Sequence, residues 1–174
     1  MGMFEIGQTV VYGTTGVCTV LSIGPLSMHG MDRKQQYYTL NPLYQDGTVY
    51  VPVNGDTRSR LRPPMSDDEA RQLLDRIPGI APCPIQQYNY KQRTDVFSAA
   101  LHENNCDSLV SIIKAVEEKK RRGKEKQQYN ADNNFRKRAM NLLCGELAFA
   151  LSQSMEEVRQ QVETAVRSSL TDSE

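Results

Sequence analysis

The hydrophobic rhythm of this chain changes once, at Pro63-Pro64. Before that point apolar residues come in short β-branched and aromatic runs broken by turn residues, and after it they recur with a period near 3.6, so the two halves differ in their type of secondary structure. A Pro-Pro pair also removes two backbone donors and disfavours helix in the residue before it, which makes it a natural boundary. The chain therefore divides into residues 1–64 and 65–174, within the size range of small domains.

In the front part four runs read as strands: Thr9 to Tyr12, Val17 to Ile23, Gln36 to Leu40 and Thr48 to Val53, each rich in β-branched or aromatic residues. Gly13-Thr14-Thr15-Gly16, a polar stretch from Gly30 to Lys34, and Gln45-Asp46-Gly47 separate them, and Asp-Gly is a strong hairpin signal. Four or five short strands in some sixty residues predict a small, bent antiparallel β-barrel, because a few flat strands cannot cover their own apolar face.

Behind the boundary, Ser66-Asp67-Asp68-Glu69 is a capping box for a helix running towards Pro78. Residues 77–86, with Pro78, Gly79, Pro82 and Pro84, read as a linker that sets the angle between the elements on either side. Four more helices are predicted. One carries Val96, Phe97, Ala100 and Leu101. A second, capped by Asp107 and ending near Gly123, carries Leu109, Ile112, Ile113 and Val116. A third starts near Asn130 with Phe135, Ala139, Leu142, Leu143 and Leu147; the last follows the capping box Ser154 to Glu157 with Met155, Val158, Val162 and Ala165 inside. The expected class is α+β, an antiparallel barrel followed by an all-α bundle.

Charge is unevenly distributed. The formal net charge is zero, yet ten of the 21 basic residues lie between Lys114 and Arg138 against Glu117, Glu118, Glu125 and Asp132, leaving +6 in that segment and −6 elsewhere. Such a segment suits a polyanion, with nucleic acid the first candidate; the plain alternative is a solvated helix face. Lys119, Lys120, Arg121, Arg122, Lys124 and Lys126 are too consecutive to share one helical face, so some must flank a turn, whereas Lys137 and Arg138 lie opposite Phe135, Ala139 and Leu142 and can project together. Tyr88 and Tyr90, beside Lys91 and Arg93, add rings that stack on bases or else pack a first helical turn.

Enzyme signatures are missing from the pattern. His29 and His102 stand alone, the acid pairs sit at helix starts where they stabilise the macrodipole, and Gly13 to Gly16 lacks the Lys and following helix of a phosphate loop. Cys18, Cys83, Cys106 and Cys144 are too far apart for a metal knuckle or redox pair, so neither zinc nor disulfide nor any other cofactor is expected. A hydrophobic fraction of 39% without a run of about 20 apolar residues predicts a globular protein without a membrane span. The N-terminus shows no secretory or myristoylation pattern, which favours the cytoplasm.

Taken in order, several motifs resemble the CarD family of bacterial transcription regulators, which includes the CdnL-type proteins. They are Phe4 to Tyr12 followed by Gly16-Val17, Thr48 to Pro52, Asn89-Tyr90 before Arg93, and Leu142 to Ala148. The resemblance implies a Tudor-like or SH3-like barrel that docks on the RNA polymerase β subunit. It also implies a helical domain that touches promoter DNA at the upstream edge of the transcription bubble, acting as a nucleoid-associated monomer on initiation, including at ribosomal RNA promoters.

Residues carried over include Tyr90, where relatives have a wedging Trp, and Arg93; Lys91, Lys119, Lys120, Arg121, Arg122, Lys137 and Arg138 are this chain's own DNA-facing candidates. Some relatives use arginines for the polymerase contact at the positions of Leu26 and Tyr50, so the docking set here, Leu26, Tyr50, Val51 and Pro52, is more apolar. The competing reading is a protein-only adaptor that binds polymerase or another large partner without DNA.

Overall fold

The computed structural model describes residues 4–54, 61–123 and 126–171, with positions 126–130 and 171 described by backbone alone. The chain divides into two compact units, Met1–Pro64 and Met65–Glu174.

The first unit is an antiparallel sheet of β1 (Thr9–Tyr12), β2 (Gly16–Pro25), β3 (Gln36–Pro42), β4 (Val49–Pro52) and β5 (Leu61–Arg62), in the spatial order β4-β3-β2-β1-β5. The predicted runs all become strands, and β2 extends to Pro25. Along β2, Val20 pairs with Leu40 and Ser22 with Thr39, so Leu21 is an extra residue. Such a bulge bends the strand, and it leaves the Leu21 side chain half-exposed. Inward-facing Val10, Cys18, Val20, Tyr38, Leu40 and Val51 form the core with Phe4, Val53 and Leu61. Phe4 meets Tyr38 edge to face at 6.1 Å.

The expected barrel closure is not seen among the described residues. Closing this sheet would require its edges β4 and β5 to pair, but the two residues of β5 pair with β1, and β4 pairs with β3. The connection from β3 to β4 also differs from a tight Asp-Gly turn: residues 43–48 lie between the strands, with Gly47 at φ 113°.

The second unit contains α1 (Asp67–Arg76), α2 (Tyr90–Glu103), α3 (Cys106–Arg122), α4 (Lys126–Leu151) and α5 (Met155–Thr171). Both predicted capping boxes form, at Ser66/Glu69 and Ser154/Glu157. The cap of α3 is Asn105, whose carboxamide oxygen accepts from the Asp107 and Ser108 amides; Asp107 instead sits in the first turn, favourable to the macrodipole. Helix α4 begins at Lys126, before the expected Asn130, and the buried stripe of α5 is Val158, Val162 and Val166, with Ala165 at its margin.

Two short 3-10 turns, Ile77–Gly79 and Ile85–Gln87, interrupt the proline-rich segment between α1 and α2. That segment is fastened to α3. The Lys114 ammonium donates to the carbonyls of Pro78 (3.1 Å) and Ile80 (2.6 Å), the Ser111 hydroxyl to Ala81 (2.9 Å), and the Cys83 amide to Ser111 (3.1 Å). Burial pulls the Lys114 pKa below the ordinary lysine value, and the two carbonyls supply partners for the buried cation.

All four cysteines are free thiols. Burial pushes Cys18 up to about 11 and Cys144 to about 12. Burial raises the Cys83 thiol as well, but Cys83 is only half-buried, so native-state titration with a thiol reagent at pH 8 should modify Cys83 before the buried Cys18 and Cys144. Equal rates would show that neither core shields its thiol.

Candidate nucleic-acid and protein interfaces

Helix directions follow from the side-chain pairs. Lys119 meets Asp132, Glu117 meets Arg136 and Cys106 meets Glu146, so α3 and α4 run antiparallel. Arg93 also meets Asp132, and Phe97 meets Phe135 at 5.4 Å, so α2 runs with α4. The N-terminus of α2, the C-terminus of α3 and the N-terminal part of α4 therefore share one end of the bundle.

That end gathers several of the predicted residues. Tyr90 is the first residue of α2 and 55% exposed, and Lys91 beside it is exposed. A reciprocal Asn89/Gln92 capping box starts this helix. Lys120 and Arg121 are exposed in the last turn of α3, where they also complement the negative end of the helix dipole. Lys137 and Arg138 project from α4 further along the bundle, with the Arg138 guanidinium 5.9 Å from the Phe135 ring centroid.

Arg93 and several cations of the basic segment are instead paired within the unit. Arg93, 5% exposed, donates from Nε to Asp132 Oδ1 at 3.0 Å, and the Lys119 ammonium donates to Oδ2 of the same carboxylate at 2.9 Å. Arg122 pairs with Glu118 at 2.7 Å, Arg136 with Glu117 at 2.5 Å, and Lys114 holds the proline-rich segment. The phosphate-facing role expected of Arg93 and Lys119 thus gives way to a buried ion triad, because Asp132 faces them both from α4. Lys124 and the side chain of Lys126 lie outside the described residues.

Asp132, Glu117 and Glu146 carry roles that pattern reading missed. Glu146 is 1% exposed; its carboxylate accepts from the Met65 amide at 2.9 Å and from the Cys106 thiol at 3.6 Å, joining α4 to the beginnings of α1 and α3. A signal for the others does exist in the sequence. The pairs Glu117/Arg136 and Lys119/Asp132 nest around the turn at Gly123 as an antiparallel helical hairpin requires.

On the sheet unit, Tyr50 and Pro52 are half-buried on β4, whose outer edge has no strand beside it among the described residues. Leu26, just beyond β2, is also half-buried. Val51 is 0% exposed and turned into the core, so it supports this edge from behind instead of offering a side chain to a partner. His29 and His102 are exposed and far apart in sequence. Among the described residues no group of acids, histidines and cysteines could hold a metal ion, and no helix is long and apolar enough to cross a membrane.

Buried and exposed cations should respond differently to substitution. Arg93→Met is expected to cost about 3–5 kcal/mol by leaving Asp132 under-compensated in the interior. Arg121→Gln should stay within about 0.5 kcal/mol of the parent. Urea denaturation midpoints at constant m-value measure both, and similar midpoints would show that the triad is not a structural element.

Residues 4–64, which comprise nearly all of the sheet unit, match the CarD-like/TRCF RID domain family. This is a class of protein-interaction domain rather than an enzyme family, and it points to the RNA polymerase β subunit as partner. No curated protein matches the chain.

Proposed function

From a front unit that belongs to the CarD-like RNA polymerase-interacting family, we propose that this protein couples RNA polymerase to promoter DNA. The family match is the observation that carries this reading, and it covers the polymerase half directly. The sheet unit docks on the β subunit through the edge of β4, where Tyr50 and Pro52 flank an unpaired strand margin and Leu26 adds apolar surface. An open edge presents backbone donors and acceptors to a partner strand, which gives affinity without needing charged side chains.

The DNA half rests on the shared bundle end. Tyr90, Lys91, Lys120 and Arg121 stand exposed at that end, an aromatic ring and cations that suit the junction between duplex and melted strands, while Lys137 and Arg138 extend the positive surface along α4. Docking on polymerase raises the local concentration of a weak, largely sequence-independent DNA binder beside the opening duplex. Preferential binding to the opened form shifts the melting equilibrium towards open complex, including at ribosomal RNA promoters. Transcription rises where melting limits initiation and falls where escape does.

A protein-only adaptor draws support from the internal engagement of Lys114, Lys119 and Arg136, which removes three cations from the polyanion-facing count, while the exposed Arg122 is partly offset by Glu118. Forked DNA separates the two readings. The double variant Lys120→Gln, Arg121→Gln should flatten the plot of log binding constant against log salt by roughly two phosphate equivalents. An unchanged slope would favour the adaptor.

Two further outcomes are expected. Tyr90→Ala should shorten open-complex lifetime by roughly five-fold or more, the loss of about 1 kcal/mol of stacking, while polymerase retention stays at the parent level. Tyr50→Ala combined with Leu26→Ala should reduce retention of the chain on purified polymerase. Full retention by that variant would remove the β4 edge from the docking surface.

A further inference from the structure

We propose that Asp132 is a positioning residue that fixes Tyr90, acting through Arg93, and that the same carboxylate sets the spacing between Tyr90 and the cations at the end of α3. The proposal deepens the DNA reading above and rests on it.

Residues 89–92 are all exposed, so Tyr90 stands on a helical turn that no core packing holds. Its local order comes from the Asn89/Gln92 capping box and from the Thr94 hydroxyl, which donates to the Tyr90 carbonyl at 2.9 Å. Arg93 is the first buried residue of α2, and Phe97, one turn further, is the next. Among the described residues, Arg93 Nε on Asp132 Oδ1 at 3.0 Å is a buried tertiary contact of α2 within one turn of Tyr90.

The other oxygen of that carboxylate accepts from Lys119 at 2.9 Å, immediately before Lys120 and Arg121. One side chain, 3% exposed, thus joins the helix that carries the ring to the helix that carries the cations. An ion triad is directional where an apolar contact is not: it holds α2 at one rotation and one height against α3 and α4. A ring that must enter a base step gains from being held in advance, because the entropy of ordering it is then not lost on binding.

The chain contains no tryptophan, so Tyr90→Trp supplies a single fluorescent reporter at this position. In the full-length protein, adding Asp132→Asn should lower the indole's anisotropy markedly. The same change beside a reporter at Phe149→Trp, near the other end of α4, should leave that anisotropy unchanged. Equal loss at both positions, or none at either, would overturn the proposal, since a merely stabilising residue acts on both alike.

On promoters, Tyr90→Ala and Asp132→Asn should each shorten open-complex lifetime, and the double variant should be no worse than the more severe single one. Additive effects would reject positioning through Tyr90. If Tyr90→Ala alone has no effect on lifetime, the DNA reading fails and the proposal with it, while the anisotropy arm still reports whether the coupling exists. Should Asp132→Asn not fold, Arg93→Lys, which keeps the charge but changes the reach, tests the same contact and should give a smaller loss in the same direction.

Discussion

A buried carboxylate with two cations around it organises the helical unit. Asp132 takes Arg93 from α2 and Lys119 from α3, and it does so almost entirely out of water. Removing charges from solvent costs several kcal/mol per ion, so the arrangement is tolerable only because both oxygens are satisfied at hydrogen-bond distance. The neighbouring Arg136 and Glu117 form a second, less buried layer between α3 and α4. Apolar packing, with Phe97 on Phe135 and Leu109, Ile113, Leu143 and Leu147 in the same core, supplies the bulk of the stabilisation but little directional information. The ion pairs provide the latter, and so determine what stands at the end of the bundle.

This division also explains why a strongly basic segment yields a more modest positive surface. Among the described residues, part of its charge holds the proline-rich segment, part pairs with acids of the same hairpin, and Lys120, Arg121, Lys137 and Arg138 face outwards at the close of α3 and along α4. The surface left is suited to a few phosphates, and sequence-independent contacts of that number give weak, salt-sensitive binding. Under the proposed function, such binding would need a second attachment, and the front unit's match to the CarD-like/TRCF RID domain is consistent with one.

Much of the architecture was legible in the sequence because it depends on local rules. Short β-branched and aromatic runs around Val10, Val20 and Leu40 mark strands, and the capping boxes at Ser66 and Ser154 mark the starts of α1 and α5. Misreadings arose where partners come from afar or where two local signals compete. Asn105 and Asp107 both suit a cap, and only geometry shows that the former takes it. The Leu21 bulge and the openness of the sheet depend on cross-strand register, which periodicity does not encode. Arg93 looked like a surface cation because its partner lies 39 positions away.

The fastening of residues 78–83 along α3 has a mechanical consequence. Prolines and glycine between two helices would ordinarily act as a hinge, yet here an ammonium, a hydroxyl and an amide stitch the stretch down. A pull on the first turn of α1 is therefore passed to the bundle with little slack, so strain arriving there is felt as displacement and not absorbed as bending.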